Sequence, residues 1–147
     1  MKMQVIQELN DLLNLRLPNR PQSGWIRSIR ESIGMTTRQL AKRLGVIQQR
    51  ASAIELAEKS GTLKMKTLEE VAKALNCRLV YYLVPIEPPE KFLKERAYEV
   101  AKRQLSLSTH SMDLESQGIS SEEKQRQLKK IADELLVKGS KELWDDE

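Results

Sequence analysis

The chain has 147 residues, of which 39% are hydrophobic, 31% charged and 4% aromatic, enough for one small core with appendages and too poor in aromatic residues for a β-sandwich. One cysteine, Cys77, and one histidine, His110, exclude an internal disulfide framework and the Cys/His ligand sets of structural zinc. The net charge of +4 is unevenly spread: residues 24–64 hold eight basic and three acidic side chains, whereas residues 105–147 are net acidic. A basic block of that length is the electrostatic footprint of a phosphate-binding surface.

The first helix is predicted from Val5, Ile6, Leu9, Leu12 and Leu13, which recur on one helical stripe before Pro18 and Pro21 stop it. Its leucines face either the core or a second copy of the chain. Residues 1–23 thus read as an amphipathic helix and a proline-containing linker. No apolar run is long enough to span a bilayer, and the N-terminus lacks the plan of a secretion signal, so a cytoplasmic protein with no membrane association is expected.

After Ser23-Gly24, Trp25 or Ile26, Ile29 and Ile33 mark the inward face of a helix ending at Gly34. Trp25 serves either the core or DNA, and its place at the start of an amphipathic helix favours the core. Thr36-Thr37-Arg38-Gln39 has the capping-box pattern, in which the Thr36 hydroxyl accepts from the Gln39 amide and the Gln39 side chain reaches back. The helix it opens runs through Leu40, Ala41 and Leu44 to Gly45, and Val46 to Glu55 then form a second short helix.

Two short helices joined across a glycine, inside the basic block, have the spacing of a helix-turn-helix. Gly45 permits the positive-φ turn, Ala41 lets the helices approach, and Val46, Ala51 and Ile54 seat the second helix on the first. The outer face of the second helix would then show Gln48, Gln49, Arg50 and Ala53. Glutamine pairs bidentately with adenine and arginine with guanine in the major groove, which assigns base contacts to these residues.

Met35-Thr-Thr-Arg-Gln-Leu-Ala-Lys-Arg-Leu-Gly-Val-Ile-Gln-Gln-Arg-Ala-Ser-Ala-Ile-Glu55 resembles the Cro/C1 (XRE) type of helix-turn-helix, found in phage repressors and antitoxins. The resemblance implies a mainly α, lambda-repressor-like domain of five helices over residues 24–84. It also implies base contacts from Gln48, Gln49 and Arg50, and places Thr37, Arg38 and Arg43 near phosphates. One departure is visible: Ile47 stands where the family usually has a Ser or Thr cap.

Leu63 to Asn76 reads as a further helix with Leu68, Val71, Ala72 and Leu75 inward. Cys77-Arg-Leu-Val-Tyr-Tyr-Leu-Val84 is β-branched and aromatic, and predicts one short strand before Pro85, Pro88 and Pro89. A lone strand needs a partner elsewhere in the chain or in another protomer, and no second convincing strand exists, so a homodimer through this strand is expected. Cys77 is expected to be a small buried hydrophobe.

Residues 85–147 form a predicted C-terminal helical extension for assembly or partner binding. Phe92, Leu93, Arg96, Val100 and Ala101 give a helix near residues 89–105, and Ser120-Ser-Glu-Glu123 caps a last helix with Leu128, Ile131, Leu135 and Leu136 on its apolar face. The end from Glu142 to Glu147 carries Trp144 among carboxylates, either a dock for a basic partner or a frayed terminus, with fraying the expectation.

A wider match covers most of the chain. Arg20-Pro-Gln-Ser-Gly-Trp-Ile-Arg-Ser-Ile-Arg30, Ala74-Leu-Asn-Cys-Arg-Leu-Val-Tyr-Tyr-Leu-Val-Pro85 and His110-Ser-Met-Asp-Leu-Glu-Ser-Gln117 together resemble the bacterial family called mobile mystery protein A. That family is similar to antitoxins, and the resemblance implies a companion, mobile mystery protein B, with a Fic domain of the AMP-transferring type. Fic inhibitory helices resemble [Ser/Thr]-x-x-x-Glu-[Gly/Asn]; Ser111 and Glu115 fit its first five positions and Ser116 departs at the sixth. The same segment reads also as a solvated polar face with Met112 and Leu114 packed inward, and that face is the expectation.

No nucleophile or acid is patterned around His110, and neither a Gly-rich phosphate loop nor a zinc-protease motif is present, so no enzyme activity and no cofactor are expected. The sequence therefore predicts an autorepressing, antitoxin-like transcriptional regulator that binds double-stranded DNA as a homodimer. The alternative is an inhibitor of a Fic-type enzyme for which DNA binding is secondary.

Overall fold

A computed structural model describes residues 2–112 and 120–145. In chain order it contains α1 (Lys2–Leu13), α2 (Trp25–Ser32), α3 (Thr37–Leu44), α4 (Gln48–Ser60), α5 (Met65–Ala74), α6 (Pro89–Met112), α7 (Ser121–Lys138) and a 3-10 turn, Ser140–Leu143. These form two compact units, Arg16–Leu83 and a second made of Met1–Leu15 with Val84–Glu147.

The Arg16–Leu83 unit holds α2 to α5 around Ile26, Leu40, Ile54, Val71 and Leu75, with Leu40 and Val71 fully enclosed. Each such side chain contributes roughly 1.5 to 3 kcal/mol through removal from water. Four helices are present here among the described residues, one fewer than expected. After Ala74 the chain turns out of helix through Asn76, the one described non-glycine residue with positive φ (57°), and then meets a β-branched, proline-bounded run that cannot continue a helix.

The expected strand over residues 77–84 is also absent from the single chain. The segment is irregular, and Val80, Tyr81, Tyr82, Leu83 and Val84 are all exposed. Its β propensity finds no ladder partner among the described residues. Two further core expectations fail: Trp25 is 39% exposed and Ile33 is 55% exposed, because the buried stripe of α2 is Ile26 with Arg30, four residues apart.

The other unit is built on α6 against α7. Ala97 and Ala101 are fully buried and, with Val100 and Leu105, meet Leu128, Ala132 and Leu135; the two alanines let the helix axes come close. Pro89 opens α6, where a missing N–H costs nothing, and the Ser120 hydroxyl accepts from Glu123 N at 3.3 Å to cap α7. Helix α6 extends to Met112, beyond the expected end near residue 105. Helix α1 lies on α6, with Asn10 Nδ2 donating to Glu90 Oε1 at 3.2 Å.

The chain end is not frayed where it is described. Leu143 is 1% exposed in the α6/α7 core, its carbonyl accepts from Arg96 Nε at 2.9 Å, and the Arg96 guanidinium stands 5.2 Å from the Trp144 ring centre. Phe92 adds a tilted aromatic contact at 5.6 Å. The acidic surroundings suggested a solvated tail; the Leu-Trp pair outweighs them by burying apolar area.

Candidate nucleic-acid interface

The turn between α3 and α4 is fixed by local chemistry. Thr36 N donates to Gln39 Oε1 at 2.8 Å and Gln39 N donates to Thr36 Oγ1 at 3.2 Å, the full capping box. At the other end Gly45 adopts φ 68°, its N–H bonds Lys42 O, and Val46 N bonds Ala41 O at 3.0 Å, so the last carbonyls of α3 are satisfied. Ile47 then precedes α4 in extended conformation with no side-chain cap and is 69% exposed.

Helix α4 is gripped from behind by charge as well as by apolar packing. Ala51, Ile54, Glu55 and Glu58 form its buried stripe. Arg30 donates through Nε and Nη2 to the two oxygens of Glu55, and through Nη1 to Met35 O at 2.8 Å. Glu58 accepts from Trp25 N at 2.9 Å and Ile26 N at 3.3 Å, serving as the anionic cap of α2. This cap requires Gly24: its φ is 83°, and a Cβ there would lie 2.0 Å from Glu58 Oε2. Arg20 completes the brace by donating to the carbonyls of Glu58 at 3.0 Å and Lys59 at 3.1 Å, the C-terminal end of α4.

With its back held, α4 leaves Gln48, Gln49, Arg50 and Ala53 exposed, their side chains bonded to nothing among the described residues. An open cleft of about 590 Å³ at the α3/α4 corner brings Arg38, Gln48 and Gln49 together with Lys42 and Ile47. Thr37 is half-buried, and Thr37, Arg43, Arg50 and Ala53 are not among the cleft walls. Arg43 Nε donates to Ala74 O at 2.8 Å, tying α3 to the end of α5.

Sequence reasoning missed Lys42, whose signal was its place one helical turn beyond Arg38. It also missed Ser52 and Leu56, which continue the exposed stripe of Gln49 and Ala53 at helical spacing; Leu56 is 67% exposed. Glu55 and Glu58 were likewise legible as charges lying on the apolar stripe of Ala51 and Ile54.

Burial of these acids sharpens the electrostatics. Of the charged side chains in residues 24–64, Arg30, Glu55 and Glu58 are buried, so the exterior shows Arg27, Arg38, Lys42, Arg43, Arg50, Lys59 and Lys64 against Glu31 alone. Arg27 and Glu31 bond each other at 2.8 Å; that hydrogen bond raises the arginine's pKa and lowers the glutamate's. Ser111 lies in the last turn of α6, and Glu115 lies outside the described residues. Among the described residues no helix is long and apolar enough to cross a membrane, and no cluster of His, Cys, Asp and Glu is placed to hold a metal.

Residues 26–82 match the helix-turn-helix family model HTH_3, so this unit carries an XRE-type helix-turn-helix domain, the DNA-binding module of transcription regulators. The chain matches none of the curated proteins and none of the solved structures.

Proposed function

We propose that the chain is a sequence-specific repressor that occupies its own promoter as a homodimer, with Gln48, Gln49, Arg50 and Ala53 reading bases and Thr37, Arg38 and Arg43 lying along phosphates. The observation that carries this is the two-sidedness of α4: Arg30, Glu55, Glu58 and Arg20 fix its back and its C-terminal end, and its front offers two amides and a guanidinium that have no partner among the described residues. Such pre-positioned donors and acceptors discriminate bases by ~1 to 3 kcal/mol for each good pair. Two copies would enter successive major grooves about 34 Å apart on a pseudo-palindrome. The reading assigns the chain no catalysis.

The test is binding of the purified protein to a labelled fragment of its own upstream DNA, against scrambled competitor and across a salt series. Preference for the native fragment with protection of two half-sites is the expected result. Equal affinity for both DNAs at every salt concentration would remove the sequence-specific role.

The antitoxin-like part of the reading draws on the second unit, which has a core of its own that DNA reading does not need. In this reading that unit holds a Fic-domain companion of the mobile mystery protein B kind, with Ser111 and Glu115 as its inhibitory motif. Co-expression tests it: Glu115→Ala should release AMP transfer by the companion, and unchanged inhibition would discard the motif.

A further inference from the structure

Neither packing nor capping accounts for Ile47. It occupies the N-cap of α4 with φ −75° and ψ 156°, and its carbonyl accepts from Arg50 N at 3.0 Å and Ala51 N at 3.2 Å. The backbone thus does what a cap requires, while the side chain offers no acceptor to the first amides of the helix. A Ser or Thr here would supply one. Nor does the side chain serve the core: Ile47 is 69% exposed, whereas Val46 before it is half-buried and Ala51 after it is enclosed. A large apolar group is therefore held in water at the leading end of α4, where a polar residue would stabilise the helix more.

The groups around it select what that side chain meets. Ile47 lines the open α3/α4 cleft together with Arg38 and Lys42 of α3 and Gln48 and Gln49 of α4. All four of these side chains are exposed and have no partner among the described residues. Two cations and two amides around one apolar group suit a nucleic acid, and the HTH_3 match makes this unit a DNA-binding module. In such modules the N-terminal residues of the second helix contact base edges in the major groove. The 5-methyl of thymine is the apolar group that the bases present there.

We propose that Ile47 reads a thymine by packing on its 5-methyl group, so that the recognition surface begins one residue before the exposed glutamines. The inference rests on the placement of α4 in the major groove given under Proposed function. A β-branched side chain on extended backbone is stiff about χ1, so the apolar face is presented in a fixed orientation. Burying it against a methyl group releases no counterion, which gives this contact a salt dependence unlike that of the lysine and arginine contacts beside it.

A duplex selected by the full chain from a random-sequence pool supplies the probe. Each thymine of the selected half-site is replaced singly by deoxyuridine, which deletes the 5-methyl and keeps every hydrogen-bonding group. At one thymine the replacement should weaken wild-type binding about 4-fold per half-site, the effect of burying one methyl group. Ile47→Ala and Ile47→Ser should bind the two duplexes equally at that position, with a salt slope unchanged from wild type. Unchanged helical circular dichroism would show both variants folded. A selected site at which no thymine responds, or a thymine that responds equally in wild type and both variants, overturns the proposal and leaves the placement of α4 standing. A selection that enriches no sequence overturns the sequence-specific reading itself, and the proposal with it.

Discussion

Arg30 and Glu55 pair face to face inside the helix-turn-helix unit: Nη2 of one lies 3.3 Å from Oε2 of the other, Nε bonds Oε1, and only 9% and 11% of the two side chains remain exposed. Helix α2 thereby holds α4 by charge at the centre of its buried stripe. A buried pair of this kind adds little net stability, since desolvation cancels most of the attraction, but removing one partner strands a charge.

Arg30→Met and Glu55→Gln should therefore each lose about 3 to 5 kcal/mol, and the double change Arg30→Met with Glu55→Leu should recover most of that loss. Urea unfolding measures all three. Single variants as stable as the parent would show that the pair does not fix α4.

Gly24 carries a second consequence of the same brace. Replacing it with Ala places a methyl group on the Glu58 carboxylate and forces a β-carbon into φ 83°. The expected loss is about 2 kcal/mol or more, read as a lowered thermal midpoint. Combining Gly24→Ala with Glu58→Ala should cost less than the sum of the two, because both changes abolish one cap. Strict additivity would separate Gly24 from the Glu58 cap.

How far these features could be read beforehand follows from their kind. The capping box at Thr36 and Gln39, the Gly45 stop and the exposed Gln48, Gln49 and Arg50 are set by neighbours within a few residues, so spacing exposed them, whereas the missing cap at Ile47 showed only through the family resemblance. The Arg20, Arg30 and Glu58 contacts join residues 25 to 39 positions apart. Only the tertiary fold brings these together, although charges on an apolar stripe hinted at them. The strand failed for the opposite reason: propensity describes what Tyr81 and Tyr82 favour, and a ladder needs a second strand, which the described residues do not provide. Trp144 was misjudged because the four carboxylates nearby were weighed above Leu143, which buries itself against α6 and α7.

Ile47 offers a change that should strengthen the protein. Its side chain is 69% exposed, its backbone is already extended, and the first amides of α4 lack a side-chain acceptor. Ile47→Ser should add about 0.5 to 1 kcal/mol by capping α4, with almost no apolar burial forfeited. Chemical denaturation would detect it as a higher midpoint at unchanged slope. A loss of stability would mean that the start of α4 is held by something other than its cap.

Lys42 and Arg50 separate positioning from reading. Lys42 belongs to the α3 wall of the cleft and Arg50 to the exposed front of α4. If α4 enters the major groove, Lys42→Ala removes one phosphate contact, weakens native and scrambled DNA alike, and reduces the salt slope by about 1. Arg50→Ala should instead cost about 1 to 3 kcal/mol on the native site and much less on scrambled DNA. Titrations of both variants on both DNAs across a salt series give the two signatures independently. Equal losses for Arg50→Ala on the two DNAs would move that residue from the bases to the phosphates, and would leave Gln48 and Gln49 to carry the discrimination.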